Sequence, residues 1–318
     1  MDKKKPLLIL TGPTAAGKTG LSLKIAERIG GSIISADSMQ VYRRMDIGTA
    51  KISKEEMGDI PHYLIDILEP SEEFNVFLFR KLAMEAIRDI ENAGRIPIIA
   101  GGTGFYIQAV IKDVDFTETG QMPHLRDKYE RMAEEEGPGA LHRLLEKADP
   151  EAAAAIHPNN IKRVIRALEF FEETGNRISE HNEEQMAKSS PFDYRDYVLY
   201  TDREKLYERI NRRVDEMMAD GLEDEVRTLV CREGLTENCT SMKGIGYREF
   251  FPYFRGECTL AETVEKIKQD TRHFAKRQLT WFRREKDVVW LDKDKLSDEE
   301  ILEIIMRDAA SLKETELS

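Results

Sequence analysis

Cysteine is scarce in this chain: 318 residues hold three, Cys231, Cys239 and Cys258, and no two of them form a C-x-x-C pair. That excludes a disulfide framework and the paired-thiolate zinc sites. The six histidines are scattered, so they supply no metal-ligand spacing either. Long apolar runs are also missing, and none approaches the roughly 18 to 20 residues that a membrane-spanning helix needs. Residues 1–5 are charged, but the apolar run behind them covers only 7–10 before Thr11, unlike a secretory signal. The expectation is a cytoplasmic protein with no membrane association. Positive charge is in deficit, with a formal net charge of −12. As an average, that argues against nucleic-acid binding, because phosphate neutralisation dominates such affinity.

The composition that remains, 41% hydrophobic and 34% charged, is that of an ordinary globular protein, long enough for one enlarged domain or two. Short apolar, β-rich runs recur at 7–10, 32–36, 63–67, 96–100, 197–200 and 288–291. They are continuous rather than alternating, as strands buried on both faces are. Helical patterns at 17–28 and 77–92 lie between them, so the spacing predicts an α/β fold with a parallel sheet flanked by helices. The rhythm breaks after Ile111, and 113–195 reads as a helical insertion domain, with helices at 125–136, 140–147 and 160–173. The core domain is then 1–112 with 196–318. Asp202 and Thr259 read as N-caps of helices running to Met218 and to about Lys286, and the tail after Leu296 as a peripheral helix.

Directly after the first strand comes Gly12-Pro13-Thr14-Ala15-Ala16-Gly17-Lys18-Thr19, and a helix follows. This is a P-loop in its working context: glycines let successive amides face phosphate oxygens, and the helix start adds its positive end. Lys18 neutralises phosphate charge, and the Thr19 hydroxyl is the candidate Mg²⁺ ligand. The motif specifies a diphosphate or triphosphate, not a reaction. At the end of the second strand stands Asp37, in a parallel sheet whose strand ends all face one crevice. It suits an N-cap, a magnesium carboxylate or a general base. The fourth strand delivers Gly101-Gly102-Thr103-Gly104, either a tight turn or a place where substrate passes close to backbone.

Charge is unevenly spread. Between 266 and 286 lie eight basic residues against two acidic ones, with Phe274, Trp281 and Phe282 interleaved. A solvated helix face would explain the charge, and core anchoring the aromatics. A net +6 inside so acidic a chain nevertheless points to a polyanion partner.

Seven stretches together resemble the tRNA dimethylallyltransferases, also called tRNA isopentenyltransferases. They are the P-loop, Asp-Ser-Met-Gln-Val-Tyr-Arg at 37–43, Asp-Ile-Gly-Thr-Ala-Lys at 46–51, Gly-Gly-Thr-Gly at 101–104, Arg-Ile-Asn-Arg-Arg-Val-Asp at 209–215, Gly-Ile-Gly-Tyr-Arg-Glu at 244–249 and Thr-Arg-His-Phe-Ala-Lys-Arg-Gln-Leu-Thr-Trp-Phe at 271–282. The resemblance spans nearly the whole chain. It implies a P-loop NTPase/kinase-like core, and the bacterial form, since the zinc-finger extension of eukaryotic relatives is missing. It also implies transfer of a dimethylallyl group from dimethylallyl diphosphate to N6 of adenine 37 in tRNAs that read codons starting with U, with Mg²⁺ as cofactor.

Under that resemblance Asp37 is the base, and Lys18, Thr19, Thr103 and Arg213 complete the catalytic set. Gly12, Pro13, Thr14, Ala15, Ala16 and Gly17 join Lys18 and Thr19 on the donor diphosphate. Arg213 alone could equally form an ordinary helix-surface salt bridge. The adenine must leave its stack to react, and Asp37, Ser38, Met39 and Gln40 are implied around it, with Thr103 near the mouth of the crevice. Arg126, Ile161, Lys162, Arg163, Val164 and Ile165 of the insertion, with Lys276, Arg277, Gln278, Thr280, Trp281 and Arg283, are implied contacts to the anticodon stem-loop. No protein partner is implied, and a monomer is the expectation. The rival readings are a small-molecule kinase, an isopentenyltransferase of free adenine nucleotides, and a nucleotide-gated RNA-binding module.

Overall fold

The computed structural model describes residues 4–114 and 123–317. The chain forms two compact units, Met1–Val110 with Pro191–Ser318, and Ile111–Ser190. The sequence alone leads to an expected insertion of 113–195, whereas residues 191–195 belong to the first unit.

The first unit is built on six strands: β1 (Lys5–Thr11), β2 (Gly31–Ala36), β3 (His62–Tyr63), β4 (Ile96–Gly101), β5 (Phe192–Tyr200) and β6 (Val288–Asp292). All pair in parallel, in the order β3-β2-β4-β1-β5-β6. The apolar runs of β1, β2 and β4 are buried almost throughout, as helices on both sheet faces require. Register decides what the strands deliver: Thr11 pairs with Gly101, and Gly101 with Ala36. Three strands therefore end level, and the P-loop, Asp37 and Gly102 emerge side by side at the carboxyl edge, where α/β sheets bind ligands.

The helices in chain order are α1 (Lys18–Ile29), α2 (Lys54–Met57), α3 (Val76–Asn92), α4 (Gly104–Ile111), α5 (Pro123–Glu135), α6 (Pro138–Ala148), α7 (Pro150–Ala155), α8 (Ile161–Thr174), α9 (Ile178–Ala187), α10 (Arg203–Ala219), α11 (Leu222–Arg227), α12 (Phe250–Phe254), α13 (Leu260–Phe282) and α14 (Asp298–Leu317). Asp202 and Thr259 cap α10 and α13 as expected, Thr259 in a reciprocal capping box with Glu262.

Four expectations need correction. β5 starts at Phe192 rather than 197, because β1 offers it a paired edge along its whole length, and that pairing outweighs the charge of Asp193, Arg195 and Asp196. β3 ends at Tyr63 rather than 67, because Leu64 and Asp66 take φ of 62° and 55°, which an extended strand cannot accommodate. α13 ends at Phe282, four residues early. The final helix is not peripheral: Ile301, Leu302, Ile305 and Ala309 are buried in one cluster with Leu21, Ile25, Ala26 and Ile29 of α1.

The second unit, Ile111–Ser190, is helical throughout its described residues, from α5 to α9. Leu125, Tyr129, Leu141, Leu145, Val164, Ile165 and Leu168 form its core. Its α7 start is fixed by Asp149, which accepts from the backbone N–H groups of Ala152 and Ser179 and from the Ser179 hydroxyl. No helix among the described residues is long and apolar enough to cross a membrane.

Candidate active site

A cavity of about 420 Å³ opens over the P-loop. Its phosphate end is made from backbone. α1 starts without a side-chain cap, so the first-turn N–H groups await an acceptor, which makes a ready anion site. Ala15 sits at φ 62°, a conformation that costs a non-glycine residue free energy and that clusters at functional loops. Lys18 folds back on its own loop, its Nζ donating to Gly12 O at 3.0 Å and Pro13 O at 2.7 Å.

Burial and the neighbouring Arg213 guanidinium push the Lys18 ammonium down to about 8, against the opposing pull of Asp37. Arg213 is lowered as well, by burial first, with Asp37 and Glu216 acting the other way. Two cations thus face one carboxylate in a desolvated pocket. That is an electrostatic demand for an anionic ligand.

Asp37 follows β2 directly. Its Oδ1 accepts from Met39 N at 2.8 Å and Gln40 N at 3.4 Å, so a local turn fixes the carboxylate at the crevice. Among the described residues its Oδ2 accepts no hydrogen bond. Asp37 lines the P-loop cavity and also a second one of about 320 Å³. Thr14, Ala15, Thr49, Arg213, Phe274 and Gln278 line both as well. Ser38, Met39, Thr103 and Arg277 line the second, together with the 244–246 turn. The two cavities therefore adjoin at Asp37 and Arg213.

The Gly-Gly-Thr-Gly turn has a reason that sequence did not supply: α13 lies directly against it. A Cβ on Gly102 would collide with the Gln278 amide, and one on Gly104 with the Trp281 indole. Gln278, expected among the tRNA contacts, is 7% exposed. Its Oε1 accepts from Thr14 N at 2.9 Å and its Nε2 donates to Gly102 O at 2.9 Å. It ties the P-loop to the β4 turn, with both ends of its amide engaged. Gln40 is similarly engaged, accepting from Ser35 Oγ at 3.0 Å and donating to Thr49 O at 3.2 Å.

α10 carries Arg209, Arg212 and Arg213 on one face, spaced i, i+3, i+4, and all three line the P-loop cavity. Only Arg213 was singled out from sequence, although the spacing carries the signal for all three. Among the described residues Arg213 forms no ion pair, whereas Arg212 pairs with Glu216 at 3.7 Å. The surface salt bridge thus belongs to the neighbour. Thr49 and Phe274 were also overlooked, although both lie inside motifs quoted above.

The basic stretch divides along α13. Lys266 pairs with Asp270 at 2.9 Å and Lys268 with Asp215 at 2.7 Å, and Arg272 donates to Asn211 at 2.5 Å. Beyond them, Lys276, Arg277, Arg283 and Arg284 are exposed and form no ion pair among the described residues. Lys276, Arg277, Thr280, Trp281, His273 and Arg284 line an open hollow of about 430 Å³, and 47%-exposed Phe105 meets Trp281 edge-on.

In the helical unit, the expected contacts separate by helical period. Lys162 and Arg163 are exposed and Ile161 is half-buried, but Val164 and Ile165 are 0% and 2% exposed core residues. Their side chains hold α8 to its neighbours and present nothing to a ligand. Arg126 forks onto Glu169, Nε to Oε1 and Nη2 to Oε2 at 3.0 Å each.

Thr19 is exposed beside the P-loop cavity. Among the described residues no three His, Cys, Asp or Glu side chains converge as a metal cage. Mg²⁺ bound with a diphosphate needs none: one hydroxyl, phosphate oxygens and water complete its shell. The donors here fit that mode.

The family model described as IPP transferase matches residues 40–285 of this chain, and one described as isopentenyl transferase matches 5–70. The chain is 58% identical over 299 residues to the tRNA dimethylallyltransferase of Lachnoclostridium phytofermentans, covering 94% of this chain and 95% of that protein. It is 48% identical to that of Bacillus subtilis, covering 92% of each. Among solved structures, the tRNA isopentenylpyrophosphate transferase of Bacillus halodurans superposes with a TM-score of 0.74 at 45% identity, covering 98% of each chain. A eukaryotic dimethylallyltransferase acting on tRNA superposes at 0.79 and 34% identity, covering 91% of this chain and 74% of its own.

Proposed function

The chain belongs to the IPP transferase family and is a transferase that moves a dimethylallyl group to tRNA, and we propose that its acceptor is N6 of adenine 37, in tRNAs reading codons that start with U. The donor is dimethylallyl diphosphate. The observation that carries this reading is the adjoining of two cavities at Asp37 and Arg213. One of them offers an anion site for the donor diphosphate, and the other is a pocket for a base turned out of the anticodon loop.

The adenine amine is a weak nucleophile, since its lone pair is delocalised into the ring. As N6 bonds to the allylic carbon, its proton passes to Asp37, and the carbon–oxygen bond to the diphosphate breaks with both electrons leaving on oxygen. Support for Asp37 is its position at the seam, held by the Met39 amide. Positive charge spread over the allyl group makes leaving-group stabilisation a large part of the barrier. The P-loop amides, Lys18 and Arg213 supply it, and Arg209 and Arg212 extend the cationic wall. Thr19 would hold Mg²⁺ against the diphosphate, where the ion would add charge neutralisation. Thr103 flanks the base, and Gln278 positions the P-loop rather than touching tRNA. The exposed cations of α13, with Lys162 and Arg163 of the second unit, take the phosphates of the anticodon arm.

Labelled dimethylallyl diphosphate, unmodified tRNA and Mg²⁺ incubated with the protein should give label at adenine 37, without ATP consumption. No label in tRNA, with the protein folded, overturns the reading.

A further inference from the structure

Two of the quoted motifs have no part in the chemistry above, Asp-Ile-Gly-Thr-Ala-Lys at 46–51 and Gly-Ile-Gly-Tyr-Arg-Glu at 244–249. The structure joins them through a residue outside both. Glu225, on α11, turns its carboxylate onto the first motif: Oε2 accepts from Asp46 N at 2.8 Å and Ile47 N at 2.7 Å, and Oε1 from Gly48 N at 3.1 Å. Oε1 also accepts from the Tyr247 hydroxyl of the second motif at 2.7 Å. One carboxylate thus satisfies three successive amides and a phenol. Hydrogen bonds to a charged acceptor are the stronger kind.

Tyr247 is 0% exposed, and its ring lies so close to Gly48 that a Cβ there would stand 2.6 Å from it. The other end of the segment is secured independently. Gln40 holds the Thr49 carbonyl, and the buried Lys51 ammonium donates to Tyr42 O at 2.6 Å, Asp46 at 2.7 Å and Asp66 at 2.5 Å. What lies between these ties is part of the wall of the second cavity: Gly48, Thr49 and Ala50 line it together with Asp37 and Met39.

From this we infer that Glu225 and Tyr247 are positioning residues for the acceptor base. They fix the 46–50 backbone so that the base seats with its amine at Asp37, and they take no part in binding donor or tRNA phosphates. The inference rests on the function proposed above. A misplacement of about 1 Å at a reacting centre costs on the order of a hundredfold in rate. The expected signature is therefore lost turnover with both affinities kept.

Glu225→Gln keeps the shape but turns an NH₂ group toward donors. With both substrates saturating, it should lower the single-turnover transfer rate by about tenfold to a hundredfold, while the dissociation constants for dimethylallyl diphosphate and for tRNA stay within about threefold, since phosphate contacts dominate the latter. Tyr247→Phe should cost less, and the double variant no more than Glu225→Gln alone, because the two act as a unit. Glu225→Asp, which keeps the charge, should recover part of the rate. A wild-type rate in Glu225→Gln overturns the inference, as does a rate loss matched by equal losses of both affinities. Should Glu225→Gln fail to fold, Tyr247→Phe decides alone: a slowed transfer step supports the inference and a wild-type rate overturns it. If the wild-type chain itself transfers no label to tRNA, the proposed function fails and the inference falls with it.

Discussion

The two cavities that share Asp37 are built in opposite ways. The P-loop cavity owes its phosphate end to eight consecutive residues, and its chemistry is mostly backbone: amides at an uncapped helix start, with Lys18 bonded to the carbonyls of its own loop. The second cavity has no such contiguous core. Segments 37–39, 48–50, 244–246 and the inner face of α13 each contribute a few residues, and their relative placement depends on side chains such as Glu225 and Gln278. Both cavities are lined by basic side chains, Lys18, Arg209, Arg212 and Arg213 in the first and Arg213, Lys243, Arg248 and Arg277 in the second, so the contrast lies in how the walls are assembled. A site that must grip a diphosphate can be local in sequence, because one loop presents all its donors. A site that must seat a flat base at one angle needs walls from several directions.

If that contrast holds, variants should sort by cavity, and a residue at the seam should stand apart. The largest effect belongs to the seam itself. Asp37→Asn should reduce kcat by about 10²- to 10⁴-fold, the usual worth of a general base, with tRNA affinity nearly unchanged. Loss of tRNA binding equal to the loss of rate would make Asp37 a recognition residue and break the contrast. Lys18→Met comes next. Losing one charge preorganised at a developing anion costs on the order of a hundredfold in kcat/KM for the donor, and filter binding should show tRNA affinity intact.

Lys18 also supplies a pH test of the first cavity. In the free protein its ammonium titrates at about 8, and a bound diphosphate stabilises the charged form. Below about 8 the free protein is already protonated there, and donor affinity is independent of this group. Above 8, binding must take up a proton, so donor affinity should fall by about tenfold per pH unit. Titration calorimetry in two buffers of different ionisation enthalpy would detect the uptake. A flat affinity between pH 7 and 9.5 would break this link between the Lys18 proton and donor binding. The tRNA dissociation constant should show no such inflection at 8.

Gln278 couples the cavities mechanically, so Gln278→Ala should disturb both. It strands the Thr14 N–H and the Gly102 carbonyl, each worth about 1–3 kcal/mol when left unsatisfied in a buried place. The expected outcome is a lower Tm, together with a rise of KM for donor and a fall of kcat. An effect on tRNA affinity alone would restore Gln278 to the contact surface where sequence put it.

How much of this was legible beforehand follows from the same contrast. The P-loop, Asp37 and the parallel sheet were readable, because strand, loop and helix are adjacent in the chain and their periodicities are strong. The resemblance implied a set of residues around the adenine but could not separate side chains that are free to touch a ligand from those that hold the site. Gln40 and Gln278 look like base readers in a motif, yet their amides are engaged within the protein, Gln278 by the backbone of Thr14 and Gly102 and Gln40 by the Ser35 hydroxyl and the Thr49 carbonyl. Val164 and Ile165 sit in a stretch flagged for tRNA, and the 3.6-residue period of α8 alone should have assigned them to the core. Glu225 carries no local signal at all, since one glutamate among the acidic residues of α11 becomes special only through amides almost 180 positions away. The burial of α14 was missed for a similar reason: its partner α1 lies at the other end of the chain.

The smallest expected effects lie on α13 and sharpen the contrast from outside the cavities. Along this helix, position decides whether a lysine has an acid beside it: Lys266 has Asp270, and Lys276 has no ion-pair partner among the described residues. A phosphate contact that releases one counterion contributes about one to the slope of log affinity against log salt. Lys276→Ala should therefore lower tRNA affinity a few-fold at low salt and flatten that slope by about one, without changing the donor dissociation constant. Lys266→Ala removes the same formal charge, but from a lysine whose charge is already neutralised by Asp270, an acid that also pairs with Arg248 at 2.8 Å, so its slope should stay at the wild-type value. Equal slopes for both variants would mean that the tRNA senses only the overall charge of the helix, and that the division between its paired and unpaired halves has no part in recognition.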